Sequence, residues 1–322
     1  MHYLITGGGG FVGSHIIDNL VARGDMVTVL DNFTTGTMDN LSHHDSESSI
    51  NVINGSILDV NMVREKVAEV DRVIHLAAAV GVFNIVNFPI ESMITNIRGT
   101  EVILEACLEF NRPLLLTSSS EIYGKNTSAK LSEDSDRIVG APQKVRWSYS
   151  DSKAIDESMA IALHHQRGLE VRIVRLFNTV GPRQVGQYGM VVPRFVSAAL
   201  KNEPLTIYGS GNQTRCFGHV SDIVAGILLV ENCVSAIGKP VNIGSDQEIS
   251  ILDLAQLTIK LLASKSVITF HEYDKVYPLG FEDMERRVPD INLIRSIVGW
   301  VPKLDISRII LDMANHIKSN EL

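Results

Sequence analysis

One stretch constrains this chain more than any other: Leu4-Ile5-Thr6-Gly7-Gly8-Gly9-Gly10-Phe11-Val12-Gly13-Ser14-His15. An apolar run precedes it and an amphipathic helical pattern follows it. Gly8, Gly10 and Gly13 satisfy G-x-G-x-x-G, and Gly7, Gly10 and Gly13 satisfy the looser G-x-x-G-x-x-G. Glycine permits the tight turn and lets the backbone come close to a pyrophosphate. A helix beginning near Phe11 aims its free N–H groups and positive dipole end at that anion. The pattern alone also suits a glycine-rich hairpin, so its surroundings decide.

Val27-Thr28-Val29-Leu30-Asp31 reads as a second buried strand ending in an acid, and Asp31 stands eighteen residues beyond Gly13. That is near the ~20-residue spacing of a carboxylate that grips adenosine ribose hydroxyls. A turn or N-cap role before Asn32 is the competing reading. Asn32-Phe33-Thr34-Thr35 offers no Arg or Lys to a 2′-phosphate, which favours NAD over NADP.

Apolar β-rich runs at His2–Thr6, Met26–Asp31, Ile50–Asn54, Arg72–Leu76, Pro113–Ser118, Glu170–Phe177 and Pro240–Ile243 alternate with helical periods. The helices are expected at Phe11–Arg23, Asn61–Ala68, Ile90–Phe110, Tyr149–Gln166 and Ser221–Cys233. Continuous apolar strands joined by helices mean an α/β fold with a doubly wound parallel sheet, covered on both faces. After Phe177 the rhythm breaks. Residues 1–178 and 219–244 are expected to form a Rossmann-type dinucleotide-binding domain. Residues 179–218 and 245–322 are expected to form a smaller, interleaved substrate lobe, with a ligand crevice between the two. The polar stretch Thr34–Ser49 is expected to be a loop or short helix, with His43-His44 facing solvent.

With 322 residues, 45% hydrophobic and 20% charged, the chain has ample core for this. A net charge of −8 argues against a broad nucleic-acid footprint, so an anionic substrate would be held by a few placed arginines. Three scattered cysteines form neither a disulfide framework nor a zinc site, and no metal is expected. No apolar run reaches the ~18 residues of a membrane helix. The first strand starts at once, leaving no room for a signal peptide, so a cytoplasmic protein is expected.

Three further constellations carry chemistry. His75-Leu76-Ala77-Ala78-Ala79 ends a strand in small residues that let a cofactor lie close to the backbone, or simply make a tight turn. Asn54-Gly55-Ser56-Ile57 ends another where an adenine edge would sit. Tyr149 and Lys153 stand four apart on one helix face, and a nearby cation would lower the phenol's pKa from its usual ~10. Thr117-Ser118-Ser119-Ser120-Glu121 ends the fifth strand at the same sheet edge, where its hydroxyls could bond the oxygen that Tyr149 deprotonates. Finally Arg183, Arg215 and Arg287 lie among turn signals, and arginine's planar fork suits diphosphate or carboxylate oxygens.

Taken together, TGGGGFVGSH, HLAAAV, Asn96-Ile97-Arg98-Gly99-Thr100, SSSEIYG, YSDSK, RLFNTVGPRQ, EPLTIYGSGNQTRCFGHVSDI and RRVPDI resemble the extended short-chain dehydrogenase/reductase family. The likeness runs over nearly the whole chain and is to the NAD-dependent nucleotide-sugar epimerase/dehydratase branch. It implies that Tyr149 takes the proton from the sugar 4-hydroxyl, that Lys153 binds the nicotinamide ribose, and that Ser119 is the catalytic Ser/Thr. It implies a dinucleotide site of Gly7, Gly10, Phe11, Val12, Gly13, Asp31, Asn32, Ser56, Ile57, Leu76, Ala77 and Ala78, with Tyr149 and Lys153. Ser56 departs from the Asp of many relatives, but a hydroxyl can still accept the adenine amino group. A UDP-sugar would meet Ser120, Asn178, Val191 and Gln213; Ile207 and Tyr208 would border the base and Arg215 the diphosphate.

Relatives that eliminate the 6-hydroxyl carry Asp-Glu after the catalytic Thr; here the pair is Ser120-Glu121. Ser-Glu, with Glu285-Arg286-Arg287-Val288-Pro289-Asp290-Ile291 and Arg146-Trp147-Ser148-Tyr149, is closest to UDP-glucuronate decarboxylases. Oxidation at carbon 4 would put a ketone β to the carbon-6 carboxylate, and such an acid loses carbon dioxide readily. Glu121 would then orient the carboxylate or a proton-donating water, and Arg287 would match the functional arginine or serve as a second diphosphate clamp. The alternatives are a UDP-hexose or UDP-hexuronate 4-epimerase and, more remotely, a non-catalytic NAD-binding sensor, which predicts a degenerate Ser-Tyr-Lys set. The long helices at 90–110 and 149–166 match those that pair in dimers of relatives, so a homodimer is expected.

Overall fold

The computed structural model describes every residue except 45–46, 187–189, 273–283, 285 and 321–322, and their side chains except those of 82–84 and 320. Glu285 of the Glu-Arg-Arg stretch therefore lies outside the described residues. From the N-terminus come β1 (His2–Thr6), α1 (Phe11–Ala22), β2 (Met26–Asp31), β3 (Ile50–Asn54), α2 (Val60–Ala68) and β4 (Arg72–His75). Helices α3 (Val82–Asn87), α4 (Pro89–Met93) and, after a π-turn over Ile94–Arg98, α5 (Gly99–Glu109) lead to β5 (Leu114–Ser119). Then follow α6 (Ser148–Arg167), β6 (Val171–Leu176), β7 (Thr179–Val180), α7 (Val191–Lys201), β8 (Leu205–Tyr208), β9 (Thr214–Cys216) and β10 (Gly218–His219). The remainder is α8 (Val220–Glu231), β11 (Pro240–Ile243), β12 (Glu248–Ser250), α9 (Ile251–Leu261), β13 (Ile268–His271), α10 (Asn292–Val298) and α11 (Ile306–Asn320).

Seven strands pair in the order β3-β2-β1-β4-β5-β6-β11, every neighbour parallel. Their side chains are apolar toward both faces because both are covered. Ile5, Val29 and Ile74 pack with Ile16, Leu20, Val224 and Ile227 of α1 and α8 on one side. Leu4, Leu30 and Leu116 pack with Val63, Val67, Ile103 and Ala160 of α2, α5 and α6 on the other. Each fully buried Leu or Ile contributes roughly 1.5–3 kcal/mol, so the sheet rather than its loops holds the fold. The strand order reverses between β1 and β4, and there the carboxyl ends of the strands open a crevice. A separate core, with Val192, Phe195, Leu205, Ile207, Leu254 and Ile310, joins α7, β8, α9 and α11. Short pairs β8–β13 (parallel) and β9–β12 (antiparallel) frame it.

The helix expected at 90–110 is interrupted. Its π-turn carries Asn96, 1% exposed, whose side chain bonds both backbone groups of Ala79 (2.7 Å to the N–H, 3.2 Å to the carbonyl) and Ser152 Oγ at 3.3 Å. A regular α-turn would aim this amide elsewhere, which explains the inserted residue. Asn96→Ala leaves the Ala79 groups without that partner and should cost about 1–3 kcal/mol, read as a lower urea midpoint at unchanged m-value.

Candidate active site

Gly7 leaves β1 with φ +73°, and a Cβ there would stand 2.7 Å from the backbone nitrogen of Ala77. A Cβ on Gly13 would strike the Gly7 carbonyl oxygen. The turn is thus a cradle that only glycines can line. The N-cap of α1 is Gly10, which has no side chain to cap the helix, so the first-turn N–H groups at Phe11, Val12 and Gly13 face outward, as an anion requires. Leu76 N–H bonds the Thr6 carbonyl (3.0 Å) and Ala77 N–H the Thr6 hydroxyl (3.3 Å), which draws the Leu76-Ala77-Ala78 loop beside the glycines. The cradle, the small-residue loop and an acid at the end of β2 together suit a dinucleotide.

Asp31 performs the turn role in full. Its Oδ2 accepts from Gly9 N–H (2.9 Å) and Oδ1 from Phe33 N–H (2.8 Å). Burial raises its pKa, opposed by the backbone donors of Phe33, Gly9 and Asn32. Asn32 is exposed beyond it and accepts from Thr34. Ser56 uses its hydroxyl to accept from Leu58 N–H at 3.2 Å, and Ile57, 5% exposed, packs on Gly99.

Across the sheet edge lies a cleft of about 420 Å³. Ser119, Ser120, Glu121, Arg146, Tyr149, Asn178 and Arg287 line it, together with Val191, Tyr208, Gln213 and Arg215. Ser119 ends β5 and accepts from Glu121 N–H (3.2 Å), which fixes the turn that presents Glu121. Tyr149 opens α6 and is hydrogen-bonded to Ser119. Lys153 follows one turn later on the same helix.

The leading influences on Tyr149 are its burial and its neighbours Glu121, Ser119, Asp156 and Arg287. Burial, then the Glu121 carboxylate, push the phenol's pKa well above its ordinary value, opposed by the Ser119 bond and Arg287. Lys153 Nζ donates to Asp156 Oδ2 at 3.2 Å, both groups closed inside the fold, and the carboxylate matches its charge.

Glu121 is gripped by two guanidiniums. Arg146 Nη1 lies 2.6 Å from Oε2 and Arg287 Nη1 2.5 Å from Oε1. Burial would raise this carboxyl, yet Arg146 and Arg287 together hold it well below the usual carboxylate range. Arg287 Nη2 also donates to Asn178 Oδ1 (2.6 Å), while Asn178 Nδ2 donates to the Cys216 carbonyl (2.9 Å). Among these three side chains two positive charges face one negative.

The lobe residues are placed unevenly. Strand alternation turns Ile207 into the lobe core at 0% exposure, so its side chain does not border the cleft as expected, whereas Tyr208 does. Arg194, which the sequence did not single out, spreads its guanidinium 4.4 Å from the centre of the Tyr208 ring. Gln213 Nε2 holds the Tyr208 carbonyl at 2.9 Å. Arg183 points away from the cleft to Asp18 Oδ2 (2.8 Å). His43 and His44 are not simply solvated, because each ring bonds Asp18 Oδ1 at 2.8 Å. Asp18 with these two histidines has the donor types of a metal site, but Arg183 already balances its charge.

Known proteins resemble this chain over nearly its whole length. The family profile described as GDP-mannose 4,6 dehydratase matches residues 4–313. A UDP-N-acetyl-alpha-D-glucosaminuronate decarboxylase of Bacillus cytotoxicus is 43% identical over 94% of this chain and 92% of its own length. UDP-glucuronic acid decarboxylase 1 of Danio rerio is 40% identical over 93% of this chain and 68% of its own. A crystal structure of the UDP-glucuronic acid 4-epimerase from Bacillus cereus, with UDP-glucuronic acid and NAD, superposes with a TM-score of 0.89 at 26% identity, covering 99% of this chain and 100% of the other. The chain belongs to the GDP-mannose 4,6 dehydratase family, within the extended short-chain dehydrogenases/reductases.

Proposed function

We propose that this protein is an NAD-dependent decarboxylase of a UDP-linked uronate, either UDP-glucuronate or its 2-acetamido counterpart. The observation that carries the reading is the Arg146–Glu121–Arg287 cluster, with its net positive charge, beside Ser119 and Tyr149. A cationic end next to an acid–base pair fits a sugar whose carbon 6 is a carboxylate. The two curated relatives, named for decarboxylation of those two sugars, support it.

When bound, the nicotinamide supplies reversible hydride acceptance at carbon 4. Tyr149, once ionised and steadied by its bond to Ser119, takes the proton from the 4-hydroxyl. With carbon 4 a ketone, the bond between carbons 5 and 6 breaks, carbon dioxide leaves and the electrons move onto the ketone oxygen as an enolate, which then takes a proton from water at carbon 5. Ser119 and Tyr149 donate to that oxygen. Arg287 holds the departing carboxylate, and Glu121, kept ionised by Arg146 and Arg287, serves as an acceptor that orients the sugar or a water. Arg215 and Arg194 are suited to the diphosphate, and Tyr208 and Gln213 to the base. In this reading residues 1–178 and 219–244 hold the dinucleotide, and 179–218 with 245–322 hold the nucleotide sugar.

Incubation with UDP-glucuronate or UDP-N-acetylglucosaminuronate, followed by proton NMR, tests the proposal. A UDP-pentose, plain or 2-acetamido, is the expected product. A retained carboxylate with inverted carbon 4 would establish a 4-epimerase instead. A pure sensor would turn over nothing, yet Ser119 and Tyr149 line the cleft and Lys153 follows Tyr149 one turn later on the same helix.

We also propose a homodimer. Ile90 (68% exposed), Ile94 (47%) and Ile155 (42%) lie on α4, the π-turn and α6, which pack together and leave an apolar surface. Light scattering at micromolar concentration should give about twice 35.4 kDa; a monomer at every concentration would refute it. Among the described residues no helix is long and apolar enough to cross a membrane. The three cysteines are unpaired, which is consistent with a cytoplasmic location.

A further inference from the structure

The two arginines on Glu121 are not equivalent. Arg146 is rooted in a short helical turn, Val145–Trp147, at the entry to α6, whereas both arginines are equally buried. Its guanidinium lies 5.5 Å from the ring centre of Trp147, itself buried. Arg287 arrives from the C-terminal segment and divides its two terminal nitrogens between Glu121 and Asn178. Both of those partners also face the cleft.

We propose that Arg146 is a positioning residue that anchors Glu121 so that Arg287 can leave Glu121 Oε1 for the carboxylate of a bound uronate. This deepens the reading above and rests on it for the identity of the substrate. The argument is one of charge balance. With a single arginine, the cluster would be neutral, and handing that arginine to a ligand would strand Glu121 as an unpaired anion in a largely enclosed site. With Arg146 fixed on Oε2, the exchange replaces one ion pair by another. The excess positive charge then matches the single negative charge of the incoming carboxylate. A neutral hydroxymethyl group at carbon 6 offers Arg287 nothing in return, so the same arrangement selects uronates over hexoses.

The test measures binding, not turnover. Holoenzyme with NAD is titrated calorimetrically with UDP-glucuronate and, separately, with UDP-glucose. Wild type should prefer UDP-glucuronate, and Arg146→Met should lose roughly tenfold of that preference with NAD retention and UDP-glucose affinity unchanged. Arg146→Lys should recover part of it. The decisive variant is Arg146→Met combined with Glu121→Gln. Removing the anion that captures Arg287 should restore the preference toward the wild-type value, which a merely structural role of Arg146 would not do. A double variant as unselective as Arg146→Met alone, or an Arg146→Met protein with wild-type preference, overturns the inference. Arg146-dependent preference in a protein that yields only an epimer would remove the proposed activity and leave this inference standing. Normal decarboxylation with a preference indifferent to Arg146 would do the reverse.

Discussion

Tyr149→Phe should lower kcat on a UDP-uronate by roughly 10³-fold while leaving NAD retention and the folded state intact. The substitution removes one hydroxyl whose partner is Ser119, so the expected change in stability is only about 1 kcal/mol. Sign matters for the pH profile. Burial and Glu121 keep the phenol protonated at neutral pH, and the step needs it to accept a proton. The rate should therefore rise with pH until the phenol ionises, and the rise should be absent in Tyr149→Phe. A variant with wild-type kcat would remove Tyr149 from the chemistry altogether.

Arg287→Met should have the second-largest effect, a loss of about 10²- to 10³-fold in kcat/KM for UDP-glucuronate. Glu121 keeps Arg146 in that variant, so it stays ionised and the cluster becomes neutral rather than collapsing. Affinity for UDP-glucose should change less than for UDP-glucuronate, because no carboxylate is involved. Equal losses with both ligands would mean that Arg287 serves the diphosphate instead, the role weighed against it from the sequence. Its bond to the Glu121 carboxylate, in the cluster beside Ser119 and Tyr149, favours the carboxylate role.

The seven strands of the sheet could be read from the sequence nearly to the residue, because a parallel strand covered on both faces must be an uninterrupted apolar run. The glycine cradle was legible for a similar reason, since Gly7 and Gly13 answer to steric limits set by their own neighbours. What could not be read depends on partners far along the chain. The π-turn in the helix at 90–110 exists for Ala79 and Ser152, which no local periodicity contains. Arg146 belongs to a stretch that carried the resemblance, but only the fold shows that it meets Glu121. Lys153 was expected beside Tyr149, and its ion pair with Asp156 three residues further on was not foreseen. Ile207 faces the lobe core because strand parity, not motif membership, sets its direction.

The central claim is that carbon 4 is oxidised and reduced again with its own hydrogen while carbon 6 is lost. Turnover of UDP-glucuronate in deuterium oxide, with the product examined by NMR and mass spectrometry, tests this most directly. The account predicts a UDP-pentose carrying one solvent deuterium at carbon 5 and none at carbon 4. A product that keeps carbon 6, or one whose carbon 4 carries solvent deuterium, would contradict it.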